Sequence, residues 1–435
     1  MEGDTDEGNT PMASDRDPFD GRSDNPDENP LAAFMAQFGI RPGPDGTFNV
    51  EELMGNLQQA MSQFSAHMSS FGGPDGGMNW NFTKDIARKV TASQGADPSP
   101  TPADSRAVQD AVGLADLWLD PNTAFGRIHA PAVAWSRAEW IEGTFGVWRR
   151  LVEPVVTSLA AAITGMLNQQ SNDMAGLQPM MEPMMRAASS GMLAAQIGQS
   201  IGQLSTDVVS VSDIAIPLTD QPRVALLPSN VAAFADGLDQ DAKDVTLYLA
   251  LRETARQRLF ASVGWLGPQL LALIEKYARD ITIDSSAIEQ SLESHLSGQL
   301  SPSDIEDIGS TVAGKLFEPV LTAEQREILE RLGTLVALVE GWVDDVVGAT
   351  TAQMMPGAVA LLETVRRRRA AGGPAEVALK SLLNLELRPR RVRDAANLWA
   401  ALRQAKGADA RDAAWTHPDL VPTSADLDDP LGFVH

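Results

Sequence analysis

The sequence contains no cysteine, and this absence excludes several kinds of site together. Without thiols there is no disulfide scaffold, thiolate metal centre, iron–sulfur cluster or cysteine nucleophile. Long apolar runs are also lacking. The longest nearly apolar stretch, Val155–Leu167, is interrupted by threonine, serine and glycine, and it is shorter than the roughly 20 residues that a membrane span requires. We therefore expect no membrane partner.

Positive charge is scarce, because 34 lysines and arginines stand against 58 aspartates and glutamates, a formal net charge of −24. Such a surface repels nucleic acid unless a local basic patch is present, so a nucleic-acid partner is disfavoured. The first thirty residues are acidic, the reverse of the basic-then-apolar order of a signal peptide. Together with the lack of cysteine, this order predicts a cytoplasmic protein.

Composition divides the chain into an N-terminal arm and a body. Residues 1–77 are acidic and rich in methionine, proline and glycine, and they end in the sequence GGPDGG at 72–77. This segment is too polar to form a core alone, so we predict a largely disordered arm. Apolar residues recur at helical spacing in 31–38 and 50–71 and indicate two local helices. The remaining residues, 78–435, are predicted to form one helical domain.

The body predicts a mainly α fold, since one segment after another carries apolar residues at helical spacing. The predicted helices cover residues 82–92, 105–119, 136–167, 180–203, 241–263 and 323–350. In the fourth of these, Gly198 and Gly202 indicate close helix packing. Two β-like runs, Asp213–Leu218 and Arg223–Leu227, are separated by a turn-forming sequence. They predict a short β-hairpin immediately before the helix at 241–263.

The helix at 241–263 carries two arginines, Arg252 and Arg256, among apolar positions. A guanidinium removed from water must be matched by carboxylates or carbonyl groups, so one interpretation is that acidic partners lie opposite. The alternative is that the aliphatic stems cover apolar surface while the charged groups reach solvent at a cleft. The two interpretations differ in the burial of the arginines.

The helix at 323–350 supplies candidate partners. Glu340 borders its apolar stripe and Asp344 lies one turn further on the same side. Both carboxylates can point into a cleft, or both can be solvated at the edge of the stripe. We hypothesise that Arg252 or Arg256 pairs with Glu340 and clamps the two helices together.

Several segments resemble one known family over nearly the whole body. They are Met78-Asn79-Trp80, AWSRAEWIEGTFGVWRRLVEP at 134–154, LPSNVAAFADGL at 227–238, LRETARQRLF at 251–260, LVALVEGWVDDVV at 335–347, TVRRRRAAGGPAE at 364–376 and WTHPDLVPTSADLDDP at 415–430. They are similar to the actinobacterial zincin-like metallopeptidases of type 2, whose members carry names such as hydrolase and zinc-dependent metalloprotease. The resemblance implies a zincin-like helical body.

The resemblance also implies site residues, because zinc-binding zincins carry the sequence HExxH. Two histidines hold the zinc and the glutamate between them is the general base. Here the window reads RETAR at 252–256, so arginines occupy both histidine positions and Glu253 keeps the general-base position. By resemblance, Glu340 takes the position of the third ligand, with Asp344 supporting it from outside the ligand set. Arginine has no free lone pair and cannot bind zinc.

These substitutions lead us to predict no bound metal, with zinc as the cofactor only if the chemistry of the family is retained. The five histidines contain no pair at i and i+4; they are His67, His129, His295, His417 and His435. The first functional hypothesis is a non-catalytic pseudo-metallopeptidase that binds a protein or peptide, or serves as a scaffold. The alternative is a peptidase or other hydrolase that uses Glu253 as general base, either without metal or with metal bound elsewhere.

A basic island interrupts the acidic chain. It consists of the run Arg366–Arg369 and the later Arg388, Arg390, Arg391 and Arg393. Such an island contacts phosphates in some proteins and pairs with the acids of its own chain in others. Both readings remain open from the sequence.

Overall fold

The computed structural model describes residues 78–170, 178–279, 321–373 and 390–434, and also residues 377 and 380. The predicted N-terminal arm, 1–77, with its two candidate helices, lies outside these residues. Arg388 of the basic island does as well.

The described part of the chain is mostly helical, which confirms the predicted mainly α fold. The helices are α1 (Trp80–Ser93), α2 (Pro102–Leu119), α3 (Arg137–Gln170), α4 (Gln178–Asp207), α5 (Pro228–Ala235), α6 (Ala242–Ser262), α7 (Leu266–Arg279), α8 (Ala323–Thr351), α9 (Ala358–Ala370), α10 (Arg390–Lys406), α11 (Ala408–Ala413), α12 (Ser424–Asp428) and α13 (Pro430–Val434). Six of them lie where the apolar spacing placed helices.

The two helices that carry the candidate site residues begin at side-chain caps. Asp241 precedes α6, and its carboxylate accepts a hydrogen bond of 2.8 Å from the backbone nitrogen of Lys243. Thr322 and Gln325 form a reciprocal capping box at the start of α8, with bonds of 3.1 and 3.0 Å. These caps satisfy backbone donors that the first turn leaves without intrahelical partners. They therefore fix where both helices start.

The predicted β-hairpin is wrong. The residues 213–218 form turns and bends, and strand β2 (Ala225–Leu226) pairs in parallel with β1 (Val133–Ala134). An antiparallel bridge joins β2 to Ser210. The apolar side chains at 214, 216 and 218 are buried in the core, and so is Ala215 between them, so the alternation in the sequence marks buried residues without strand pairing.

The predicted close packing at two glycines is confirmed. A Cβ atom at Gly198 would lie 2.5 Å from the backbone oxygen of Thr83, and one at Gly202 would lie 2.6 Å from that of Ala87. Both contacted residues belong to α1. The backbones of α1 and α4 therefore approach so closely that only glycine fits at these positions.

Helix α6 lies at the centre of the body. It packs against α2, α5, α8 and α9, and every residue from Leu247 to Leu259 is buried. Neighbouring elements therefore enclose this part of the helix on all sides. Polar residues within 247–259 must find partners inside the protein.

The described helices include none that is both long enough and apolar enough to cross a membrane. The cytoplasmic location stays a prediction.

Candidate functional site

Arg252 of α6 joins two acids of α8. Its Nη2 donates to Oε2 of Glu340 at 2.9 Å, and its Nη1 donates to Oδ1 of Asp344 at 2.7 Å. The two acids are four residues apart and lie one above the other on the same side of α8. One planar guanidinium can therefore bond both carboxylates at once.

Arg256 lies one turn further along α6 and joins a different pair. Its Nε donates to Oε1 of Glu340 at 2.7 Å, and its Nη1 donates to Oε2 of Glu253 at 2.7 Å. Each oxygen of Glu340 thus accepts from one of the two arginines of α6. The predicted contact is present, and it involves both arginines instead of one.

Burial decides between the two interpretations of the arginines. Arg252 is 4 % exposed and Arg256 is 1 % exposed, so neither charged group reaches solvent. Glu340 and Asp344 are buried as well, which makes the solvated reading of these acids wrong. The four residues and Glu253 form a closed ionic centre between α6 and α8.

Glu253 has no hydrogen-bonding capacity left. Its Oε1 accepts from Ser212 Oγ at 2.7 Å and from Gln257 Nε2 at 2.9 Å. Its Oε2 accepts from Ser210 Oγ at 2.7 Å and from Arg256 Nη1 at 2.7 Å. An ionised carboxylate has about four lone-pair sites, and all of them are used. The carboxylate is also 0 % exposed, so a water molecule has neither access to it nor a site on it.

Sequence reasoning missed the two serines. Ser210 and Ser212 precede Glu253 by 43 and 41 residues, in a segment flanked by apolar positions. Ser210 lies at an isolated bridge and Ser212 in the turn that follows, and both hydroxyls reach Glu253. Two hydroxyls two residues apart in an apolar stretch were the only available signal.

The protonation energetics follow from burial and pairing. Burial raises the pKa of Glu253, while Arg256 and the three neutral donors oppose that rise. Burial lowers the pKa of Arg256, and the charge of Glu253 opposes that fall. For Arg252, burial acts to lower the pKa, but the charge of Asp344 and the contact with Tyr248 outweigh it and raise the pKa overall. Both arginines stay cationic at any working pH.

Helix α9 adds cations to the centre. Arg369 donates to Oε2 of Glu340 and its Nη1 lies 3.8 Å from Oδ1 of Asp344. The Nε of Arg366 lies 3.5 Å from Oδ2 of Asp344. Both arginines belong to α9, which therefore covers the centre from a third side, in addition to α6 and α8.

Three other members of the basic island also pair with acids of this chain. Arg367 bonds Glu363 at 3.1 Å, Arg368 lies 3.9 Å from Asp213, and Arg391 lies 2.5 Å from Asp428. These contacts favour the reading in which the island pairs with its own acids. They leave the phosphate-binding reading without support.

On its opposite side, α8 carries a second buried ionic group that the sequence analysis did not identify. Arg411 donates from Nη1 to Asp345 at 2.9 Å and from Nε to Asp412 at 2.9 Å. Trp342 Nε1 also donates to Asp412, at 2.9 Å. Helix α8 is therefore held by ion pairs on both sides.

The residues at the centre do not fit a zinc ion. Zinc requires ligands with a lone pair, and both positions four residues apart on α6 carry guanidiniums, which offer none. Glu340 and Asp344 already accept hydrogen bonds from arginine. Among the residues that the structure describes, no three or more histidines or acids form a group that could hold a metal. Of the five histidines, the described ones are His129 and His417.

The fold and this centre define a class of protein: a mostly helical body whose two central helices are joined by buried arginines and carboxylates. Residues 78–434 match the family model described as zincin-like metallopeptidase. The chain belongs to this family, as the resemblance predicted.

A solved structure supports the same fold. The crystal structure of a "putative hydrolase with a novel fold" from Chloroflexus aurantiacus is similar with a TM-score of 0.56 and 17% sequence identity, over 82% of this chain and 97% of that chain. At this identity the likeness concerns the fold alone. No curated protein matches the chain.

Proposed function

We propose that this protein is a non-catalytic member of the zincin-like metallopeptidase family. In this proposal guanidinium groups take the structural place of the metal, and the protein binds a partner protein or peptide, or serves as a scaffold. The observation that carries the proposal is the closed ionic centre of α6 and α8. Its arginines are hydrogen-bonded to the same Glu340 that resemblance places as the third zinc ligand.

Electrostatics explains why two arginines suit this position. A zinc dication between the helices neutralises acids that are buried without water, and acids left without it would be strongly destabilising. Arg252 and Arg256 supply two fixed positive charges at the same place. They also bring directed donors, which satisfy the lone pairs of the carboxylates. The buried acids are therefore still neutralised, but by guanidinium groups, which cannot act as a Lewis acid.

The state of Glu253 also supports the proposal. A general base must lie within hydrogen-bond reach of the proton that it removes. Glu253 is fully buried and accepts four hydrogen bonds from its own protein. To act as a base it would have to lose one of these bonds and gain a path to solvent. No observation favours the alternative hydrolase.

Metal content and hydrolysis test the proposal together. The purified full-length protein is analysed for zinc by elemental mass spectrometry, and it is then incubated with a broad set of fluorogenic peptides and esters, with added zinc or with a chelator. We expect far less than one equivalent of zinc and no turnover under any condition.

The variant Glu253→Gln guards against a contaminating hydrolase. Its matched control is Glu363→Gln, which makes the same chemical change at a residue of α9 whose ion pair within the described part of the chain is the surface pair with Arg367. Turnover that disappears in a folded Glu253→Gln protein and persists in Glu363→Gln would overturn the proposal. One equivalent of tightly bound zinc would do the same.

A further inference from the structure

Among the described residues, those that link the ionic centre to solvent belong to α9. Arg252, Arg256, Glu253, Glu340 and Asp344 are all buried. Within the described residues, the partly exposed members of the cluster are arginines of α9, with side-chain exposures of 29 % for Arg366 and 16 % for Arg369. We call these two residues the mouth of the centre. A group that approaches the centre from solvent meets guanidiniums first.

The charges at the centre and its mouth do not cancel. Inside, the two arginines of α6 face three carboxylates, those of Glu253, Glu340 and Asp344. Arg366 and Arg369 raise the count to four guanidiniums against three carboxylates. The adjacent Arg368 does not add to the excess, because it pairs with Asp213. Among these seven side chains, four arginines and three acids, one positive charge is left over, although the chain as a whole has a formal net charge of −24.

Arg366 has N–H donors that no described residue uses. Its one contact with a described residue is the approach of Nε to Asp344 Oδ2 at 3.5 Å, which is long for a hydrogen bond. Its two Nη groups donate to no described residue. Asp344 Oδ2 is itself buried without a hydrogen bond. By contrast, the neighbouring Arg367 bonds Glu363 at 3.1 Å and points away from the centre with 79 % exposure.

We propose that Arg366 binds one carboxylate of a peptide segment of a partner protein, either an acidic side chain or a C-terminus, at the mouth of the centre. This inference rests on the proposed binding function and names the chemistry of the partner. The free Nη1 and Nη2 atoms match the two oxygens of a carboxylate as a bidentate pair.

Charge selects a carboxylate over a phosphate. A single negative charge neutralises the excess of one, whereas a phosphate dianion adds a second charge close to Asp344, which lies 3.5 Å from Arg366. Like charges repel, so two negative charges placed beside Asp344 cost more than one. A nucleic acid is disfavoured further by the net charge of the whole chain.

The probe for this proposal is a fluorescein-labelled hexapeptide of alternating glutamate and serine with a blocked C-terminus, and its control replaces each glutamate by glutamine. Anisotropy is measured on the full-length protein at low ionic strength. We expect the acidic peptide to bind and the amide peptide not to bind. Acetate should compete for the site, and inorganic phosphate at equal ionic strength should compete no better.

Two variants on one helix locate the site. Both Arg366→Gln and Arg367→Gln remove one positive charge from α9. We expect Arg366→Gln to weaken binding about tenfold or more, the effect of losing a charge-assisted hydrogen bond, and Arg367→Gln to change it by less than about twofold, as expected for an exposed charge. Arg366→Lys keeps the positive charge but loses the bidentate geometry of the guanidinium. Its affinity for the acidic peptide should lie between those of the two glutamine variants.

Three results would overturn the proposal: no binding of the acidic peptide, equal losses in both glutamine variants, or stronger competition by phosphate than by acetate. Melting temperatures of the variants exclude misfolding as the cause, and Arg366→Lys serves if Arg366→Gln is unstable. A negative result in the peptide-binding experiment does not affect the zinc and hydrolysis results. Conversely, zinc binding or turnover would overturn the proposed function even if the peptide binds, so the two failures are distinguishable.

Discussion

Replacing Arg252 by alanine tests whether the ionic centre holds the two central helices together. The change removes donors at 2.7 and 2.9 Å from Asp344 and Glu340. Glu340 keeps Arg256 and Arg369. Asp344 is left with no hydrogen bond from a described residue, because its Oδ2 already lacks one. The variant therefore creates a buried carboxylate whose nearest cations do not bond it.

Breaking a buried ion pair by removing one partner costs about 3–5 kcal/mol. The entropy of unfolding is about 2.1 cal/mol/K per residue, so the range 78–434 corresponds to about 0.75 kcal/mol/K. Dividing the two quantities gives a fall in melting temperature of about 4–7 °C. Circular dichroism against temperature measures this fall, and denaturant titration gives the free energy of unfolding directly. Arg367→Ala is the matched control, and as an exposed pair it should change stability by less than about 1 kcal/mol.

The added substitution Asp344→Asn separates charge from packing. If the loss in Arg252→Ala comes from the stranded carboxylate, removing that charge should restore about 1 kcal/mol or more of the free energy of unfolding. A cavity left by the arginine would not be repaired in this way. A melting temperature of Arg252→Ala within about 1 °C of the wild type would refute the reasoning, since it would mean that the centre contributes nothing net.

Three further predictions concern metal binding, pH and packing. In the double variant with histidine in place of Arg252 and Arg256, the two imidazoles lie four residues apart on α6, and we expect about one equivalent of zinc by elemental analysis; a metal-free double variant would contradict the zincin reading of these positions. Burial raises the pKa of Tyr277 to about 12. Since the neutral phenol is favoured by folding, its contribution to stability is complete below the unfolded pKa of about 10 and is lost as the pH rises through about 12. Ultraviolet absorbance should therefore show no phenolate step near pH 10 in the native protein, whose two tyrosines are both buried, and such a step would show the expected shift to be absent. Gly202→Ala should lower the free energy of unfolding by about 1–3 kcal/mol because its Cβ would overlap α1, whereas Gly113→Ala, which meets nothing within 4 Å, should not destabilise; equal melting temperatures would contradict the close approach of α1 and α4.

Local sequence patterns were enough to predict α6, α8 and the contact between their arginines and acids. Apolar spacing located α6 and α8, and the helical repeat put Arg252 beside Arg256 and Glu340 beside Asp344. The need of a buried guanidinium for an acid then predicted their contact. The same reasoning failed for the hairpin, because the alternation at 213–218 arises from burial in the core and not from strand pairing.

The residues of α6 and α8 establish which charged groups these helices carry and which chemistry those groups exclude. Arginine at 252 and 256 offers donors and fixed charge but no lone pair, whatever the fold. Only the folded chain shows which hydrogen-bond donor satisfies which carboxylate. It brought Ser210 and Ser212 onto Glu253 and closed the centre with Arg369 of α9. Such partners depend on how distant segments cross, and no periodicity along one segment encodes that crossing. The arginines at 252 and 256 can therefore be identified from the sequence, whereas the four hydrogen bonds that Glu253 accepts form only in the folded protein.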